Sequence, residues 1–231
     1  CSHNIREGRL LIDAARKNRR VVQHGTQMRS TAMIQQAVNA LRDGVIGDVM
    51  MAKAWNVQQR RSIGHEQPSD PPAELDYDLW VGPAPMVPYR SNCHHGSWNW
   101  WYHFGTGDMG NDGVHDIDYA RWGLGVETHP DAISAAGGKY FFDDDQEFAD
   151  TQQVNFEYNA DGDPRQRKML IYEQRLWSTN YPHNCDSGVE FYGTEGQMFV
   201  SRRGKLEVRG PRNAVIDLDI PLSPQDDAAH T

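Results

Sequence analysis

The chain has 231 residues, 38% hydrophobic and 10% aromatic, which is enough for a real core in one large domain or one and a half. Its formal net charge is −9 and its basic residues are dispersed apart from Arg16 to Arg20 and Arg202-Arg203, so nucleic acid is excluded as a partner. No apolar run reaches the ~20 residues of a membrane-spanning helix, and Cys1, Cys93 and Cys185 are too few and too far apart for a disulfide framework or a CxxC metal site.

Asn4-Ile5-Arg6-Glu7 reads as a helix N-cap with an acid three residues on. Ile5, Gly8, Leu11, Ile12 and Ala15 then keep one face apolar and small, which predicts a helix of about four turns. Arg16, Lys17, Arg19 and Arg20 complement the carbonyl dipole at its end, and Val21-Val22-Gln23-His24 reads as a short buried strand. Such a pair is half of a parallel βαβ unit, and nothing before it supplies the neighbouring strands. The chain therefore reads as cut inside an α/β domain, the alternative being that this helix and strand join the later sheet.

Met33, Ile34, Ala37, Val38 and Leu41 recur at helical spacing between Thr31 and Leu41, and Asp43-Gly44 ends that helix. Val49 to Val57 reads as a strand, Gln58 to Ala73 as a long exposed loop, and Trp80-Val81-Gly82-Pro83-Ala84-Pro85 as a rigid, turn-rich knot. Tyr89, Trp98, Trp100, Trp101, Tyr102 and Phe104 follow, interleaved with His94, His95 and His103. Rings with polar tips suit a carbohydrate cleft, where C–H faces stack and hydroxyls find partners. Most of these rings read as core, and Trp98 and Tyr102 as the candidates for substrate contact.

The glycine-rich run Gly105-Thr106-Gly107-Asp108-Met109-Gly110 opens the central helix. At ~100° per residue, Asn111, His115, Asp118 and Trp122 fall within roughly 60° of one another and form a stripe. Val114, Ile117 and Leu124 lie beside it toward the core, and Asp112 and Asp116 point to solvent. A histidine between polar neighbours at a core edge is either a tuned acid/base or a structural histidine in a helix that merely packs. Gly105-x-Gly107-x-x-Gly110 also matches the dinucleotide fingerprint, with Glu127 further on, but Trp98 to Phe104 is too bulky and polar to be the strand that fingerprint requires.

Alternation then predicts strands at Ala132–Gly137, Thr151–Tyr158, Met169–Trp177, Gly188–Tyr192, Gln197–Ser201 and Lys205–Arg209. The short connections, at Asp143-Asp144-Asp145, Asn159 to Pro164 and Gly193 to Gly196, imply mostly antiparallel neighbours, and the triple aspartate reads as a solvated turn. The polar residues from Leu222 to Thr231 close no element, so the chain reads as stopping early here too.

The run Gly105-Thr106-Gly107-x-x-x-Asn111-x-x-x-His115 resembles the GGGxxxDxxxH motif of the Gfo/Idh/MocA family of NAD(P)-dependent oxidoreductases. The opening helix resembles the one after that family's Glu-Lys-Pro motif, and Trp80 to Pro85 and Tyr192 to Gly196 also look like family segments. The resemblance implies an α+β chain: residues 1–27 as the last helix and strand of a truncated Rossmann domain, and residues 28–231 as a substrate-binding and oligomerisation domain. That domain would be an open, mostly antiparallel sheet covered on one face by helices. The family's lysine and phosphate loop would precede Cys1, so this chain alone is expected to be inactive.

The function implied is oxidation of a secondary hydroxyl of a sugar or cyclitol by NAD or NADP, bound mainly by the missing domain with Gln27 as a contact. His115 would be the general acid/base, with Asn111, standing where the family has Asp, holding geometry. Arg29, Trp80, Tyr102, Asp118, Arg175, Tyr181 and His183 are the candidate substrate contacts; for Arg29 and Arg175 a structural ion pair is the equal alternative. The alternatives are a redox-assisted glycosidase or lyase, a cofactor-free carbohydrate-binding module, and a metal site from His94, His95, His103 and His115, although no metal is expected. A homo-oligomer through the sheet is expected, with no membrane partner, and the compartment stays open.

Overall fold

The computed structural model describes residues 2–158 and 163–222, so Cys1, part of the Asn159–Pro164 turn and the tail from residue 223 lie outside it. Two compact units divide the chain: Cys1–Thr26, Ser62–Asn111 and Asp143–Phe148 form one, and Gln27–Arg61, Asp112–Phe142 and Ala149–Thr231 the other.

The first unit opens with helix α1 (Ile5–Lys17). Asn4 caps it as its sequence predicts, accepting the Glu7 N–H at 3.0 Å while its amide donates to the Glu7 carboxylate at 2.9 Å. The expected strand at Val21–His24 does not form, and Val21 and Val22 are exposed. A β-branched run is only half a strand, and this one has no ladder partner among the described residues. The short helix α3 (Tyr77–Val81) starts the knot, its first turn capped by Asp76, which accepts from the Leu79 N–H at 3.0 Å.

The triple aspartate is not a solvated turn. Asp144 is buried and accepts from the Ile63 N–H at 3.0 Å, and Asp145 accepts from the Glu66 N–H and the Asn92 amide at 2.9 Å each. Burial works to raise the Asp145 carboxyl, but those two donors and His65 outweigh it and bring its pKa down to about 2. Ionised, it fastens one end of the long loop after Gln58.

The second unit is an eight-stranded sheet. Helix α2 (Ala32–Arg42) buries Met33, Ile34, Ala37, Val38 and Leu41, as the spacing predicts. It leads into β1 (Val49–Asn56), and α4 (Val114–Leu124) precedes β2 (Ala132–Gly138), β3 (Thr151–Tyr158), β4 (Lys168–Arg175), β5 (Ser187–Gly193), β6 (Gln197–Ser201) and β7 (Lys205–Arg209). A two-residue β8 (Val215–Ile216), too short to show alternation, closes the order β2-β3-β4-β1-β5-β6-β7-β8. Every pairing is antiparallel except β1 with β4, so β1 is threaded into the middle between later strands.

Register separates the two faces. Ala54 aligns with Tyr172 and Val154 on one side and with Val189 and Val200 on the other, an apolar row covered by α4, against which α2 packs. One residue earlier, Lys53 aligns with Ile171, Asn155 and Ser134 one way and with Glu190, Phe199 and Glu207 the other, forming the open face. A Cβ on Gly113 would lie 2.3 Å from the Tyr172 hydroxyl, and one on Gly123 2.4 Å from the Phe191 ring. These two glycines let α4 lie directly on the sheet.

Candidate active site

A π-helical turn, Met109–Gly113, runs into α4, which Gly125 in the left-handed conformation ends. The α-helical wheel therefore holds only within α4, and there His115, Asp118 and Trp122 share a stripe. His115 is half-buried. Asp118 accepts a two-pronged hydrogen bond from Arg29, at 2.8 and 2.9 Å, which raises the guanidinium pKa against its partial burial. The Arg29 guanidinium also lies 5.2 Å from the centre of the Trp122 ring. Arg29 and Asp118, both candidate substrate contacts, are thus brought together with each other, two turns of helix or less from His115. Gln27 begins the short 3-10 turn that carries Arg29.

The other face of α4 corrects the sequence reading. Asp112 and Asp116 do not point to solvent: Asp116 is fully buried, and Asp112 is half-buried between Arg60 and Arg202. The buried side of α4 is Asp116, Tyr119, Ala120, Gly123 and Leu124, of which only Leu124 was expected toward the core, while Val114 and Ile117 are half-buried. Burial raises the Asp112 carboxyl, but the two guanidiniums outweigh it and hold its pKa below the ordinary value. Burial dominates at Asp116 and pushes its pKa up to about 7, against Arg202 and the Tyr119 hydroxyl, which donates to Oδ1 at 2.8 Å. Its other oxygen, Oδ2, has no hydrogen-bond partner among the described residues. Sequence reasoning missed this group; the only signal was an acid three residues before a tyrosine on a helix.

In the first unit, the fingerprint-like glycines do not form a phosphate cradle. The residues before them make a 3-10 turn at Trp98–Trp100 rather than a strand, and a Cβ on Gly105 would lie 2.5 Å from the Asn99 Cα. Gly107 adopts φ +68° with its open side against Phe148. Asn111 is exposed and donates to the buried carboxylate of Asp108 at 3.2 Å. Asn111, Thr106 and Gly107 line a cavity of about 300 Å³ whose far wall is His3, Trp98 and Phe104. Those last three residues also line a second cavity of about 880 Å³, together with Trp80, Tyr102 and Glu7. Two of the candidate substrate contacts, Trp80 and Tyr102, therefore share a cavity.

The remaining candidates lie on the open face of the sheet, opposite α4. Arg175 donates to Glu173 at 2.7 Å, and Glu173 also pairs with Lys53 at 2.6 Å. His183 is bonded to Glu190 at 2.8 Å and stacks on Phe199 with ring centres 4.1 Å apart; Tyr181 packs against the Trp55, Val57, Cys185 and Phe199 cluster. The structure does not bring Arg175, Tyr181 and His183 together with His115. Among the described residues no three His, Cys, Asp or Glu side chains could hold a metal ion.

The glycine-rich turn, the helix bearing His115 and the strand β1 before them all fall within residues 48–163, and this segment matches the Gfo/Idh/MocA profile described as "Oxidoreductase family, C-terminal alpha/beta domain". The chain belongs to the Gfo/Idh/MocA oxidoreductase family. No curated protein sequence matches this family member. Among solved structures its fold is similar to levoglucosan dehydrogenase in complex with NADH, with a TM-score of 0.64 and 18% identity over 94% of this chain and 52% of that one. It is similar also to aldose-aldose oxidoreductase from Caulobacter crescentus complexed with glycerol, with a TM-score of 0.64 and 14% identity over 98% and 56% of the two chains. An inositol dehydrogenase homologue from Azotobacter vinelandii, complexed with NADH and myo-inositol, gives 0.62 and 16% over 94% and 47%. The Gfo/Idh/MocA chain spans about half the length of these structures, and at such identities the likeness is one of fold.

Proposed function

We propose that the protein oxidises a secondary hydroxyl of a sugar or cyclitol in an NAD(P)-dependent reaction, with His115 as general acid/base. The observation that carries this reading is the half-buried imidazole in the first turn of α4, directly after a π turn and inside the segment that matches the family. π turns concentrate at functional sites. Support for the chemistry comes from the relatives of like fold, which include a levoglucosan dehydrogenase with NADH and an inositol dehydrogenase homologue with NADH and myo-inositol.

A nicotinamide cofactor, when bound, accepts the hydride from the carbinol carbon. Its phosphates do not fit Gly105–Gly110, where no strand leads into the glycines, so this reading does not place them on that run and gives this chain one cofactor contact, Gln27. The hydroxyl proton has to leave as the hydride does, and His115 takes it; a positioned base of this kind contributes about 10² to 10⁴ in rate. Asn111 offers an amide that orients a hydroxyl and carries no charge of its own. Arg29 and Asp118, each already bonded to the other, present their free edges to substrate hydroxyls. The open face of the sheet serves homo-oligomer contacts.

The test is NAD(P)H formation by the protein with a panel of monosaccharides and cyclitols, wild type against His115→Ala. A loss of about 10² to 10⁴ in kcat with cofactor affinity retained is expected. Carbohydrate binding with no NAD(P) binding would favour the cofactor-free module instead, and bond cleavage without net NAD(P)H the redox-assisted glycosidase.

A further inference from the structure

Trp80, Trp98, Tyr102 and Phe104 wall the cavity of about 880 Å³ in the first unit, and His3, Glu7 and His103 add polar atoms to its lining. Every residue of that lining belongs to the first unit. Ligand pockets run from about 300 to 1,000 Å³, so a six-membered ring with its hydroxyls fits inside.

The walls are held in place by neighbours of the same unit. Trp80 stacks on Tyr77 with ring centres 5.8 Å apart and meets Phe104 at 4.8 Å. Tyr102 is 63% exposed, yet its N–H donates to Glu147, its carbonyl accepts from His3 Nε2 at 2.7 Å, and the His3 ring meets its own edge-on. Trp98, 43% exposed, begins the 3-10 turn that follows. Exposed rings on a fixed backbone offer flat apolar platforms at little further entropy cost on binding. With its Nε2 hydrogen given to the carbonyl, the neutral His3 ring keeps Nδ1 as an acceptor. The Glu7 oxygens accept from the His3 N–H at 2.6 Å and the Asn4 amide at 2.9 Å, and each has a lone pair to spare for a hydroxyl.

We propose that this cavity is a carbohydrate-binding site in its own right, in which a pyranose ring lays its C–H face on the exposed rings of Trp98 and Tyr102 and bonds Glu7, His3 and His103 through its hydroxyls. A wholly apolar ligand would strip water from the Glu7 lone pairs and the imidazole nitrogens and give nothing back. A quaternary ammonium group suits aromatic walls, but it fills only a small part of about 880 Å³ and has no hydrogen to donate to Glu7. A sugar ring answers both surfaces at once, an apolar face for the rings and hydroxyls for the polar atoms. The site needs neither a cofactor nor any residue of the second unit, so it goes beyond the oxidoreductase reading and is tested apart from it.

The experiment is calorimetric titration of the protein, with no NAD(P) present, against the methyl pyranosides of glucose, galactose and mannose, and against sorbitol, which carries the hydroxyls without the ring. At least one pyranoside is expected to bind saturably and about tenfold or more tightly than sorbitol, the size of one ring-stacking contact. Trp98→Ala and Tyr102→Ala bring that ratio toward one, and Trp98→Phe, which keeps a ring, retains most of it. Both side chains are exposed, so these variants leave the fold intact, which circular dichroism checks. No saturable pyranoside binding, equal binding of sorbitol, binding that survives loss of both rings, or tighter binding of phenol or tetramethylammonium overturns the inference. NAD(P)H formation alongside any of those results leaves the oxidoreductase reading standing. Pyranoside binding that Trp98→Ala and Tyr102→Ala weaken supports this site, whether or not NAD(P)H forms.

Discussion

Asp116 is a carboxyl held where an ionised group is costly. In the unfolded chain it ionises near the ordinary ~3.9, and in the folded protein its pKa stands at about 7. Between those values the folded state keeps a proton that the unfolded state has lost, so stability falls as pH rises through this window and levels off above it. Asp116→Asn keeps an oxygen for the Tyr119 hydroxyl and cannot ionise. It is expected to be the more stable protein above about pH 7, by something on the order of 2–4 kcal/mol, with the difference shrinking toward about pH 4. Urea midpoints at about pH 5 and about pH 8 read this directly, and equal pH slopes in the two proteins would sink it. Asn111 poses the reverse question, because the resembling family motif has Asp there. Here the amide donates to the buried Asp108, and a carboxylate cannot. Asn111→Asp removes a donor and sets two acids together, so it should cost about 1–3 kcal/mol at neutral pH in thermal or urea unfolding, and less in acid.

At the scale of elements, α4 depends on two glycines. Gly123→Ala puts a methyl 2.4 Å from the Phe191 ring and 3.0 Å from a Leu41 methyl, both buried, so the helix has to lift or the ring has to turn. Overpacking of this kind costs about 1–3 kcal/mol, against the gain of up to ~1 kcal/mol that Gly→Ala brings in an open helix. A lower urea midpoint is the expected result, and a higher one would show that the contact gives way freely. The same helix marks where the sequence stopped being legible. Thr151–Tyr158, Gln197–Ser201 and Lys205–Arg209 were readable to the residue because each alternates, and α2 because its apolar positions recur at i, i+1, i+4 and i+5. The buried face of α4 was not, since Gly, Ala and Asp carry no hydrophobic signal. Neither was the parallel pairing of β1 with β4, because alternation tells which face a residue takes and nothing about which strand lies beside it. Asp144 and Asp145 looked solvated because the groups they bind, Ile63, Glu66 and Asn92, lie some 50 to 80 residues away in the chain. At the candidate site, the motif pointed to His115 and Asn111, whereas Arg175 was chosen by residue type on a strand whose facing only register reveals, and His183 for its place in a loop, which proves to be a 3-10 turn stacked on Phe199.

For the whole molecule, the open face of the sheet is the feature that calls for a partner. Six spacings of about 4.8 Å between the seven strands of five to eight residues, about 20 Å long, make a face of roughly 600 Å², part of which, at Trp55 and Phe199, Tyr181 and His183 already cover. A standard interface buries about 800 Å² on each side, so this face supplies a large part of what a dimer contact needs. Its middle is half-buried Met51, Met169 and Ile171, with Met51 and Met169 paired in register, while the charges beside them are already satisfied within the chain through Lys53, Glu173 and Arg175. Charges neutralised at home cost less to cover, and the apolar middle gains by being covered. Ile171→Glu plants an unpaired carboxylate in that middle without touching the row under α4. Sedimentation should therefore show wild-type protein as a homo-oligomer at micromolar concentration and Ile171→Glu as a monomer with unchanged circular dichroism. Wild-type protein that sediments as a monomer, or a variant that assembles as before, removes the open face as the contact. Because the charge pairs of this face are intrachain, added salt should loosen the assembly far less than the single substitution does.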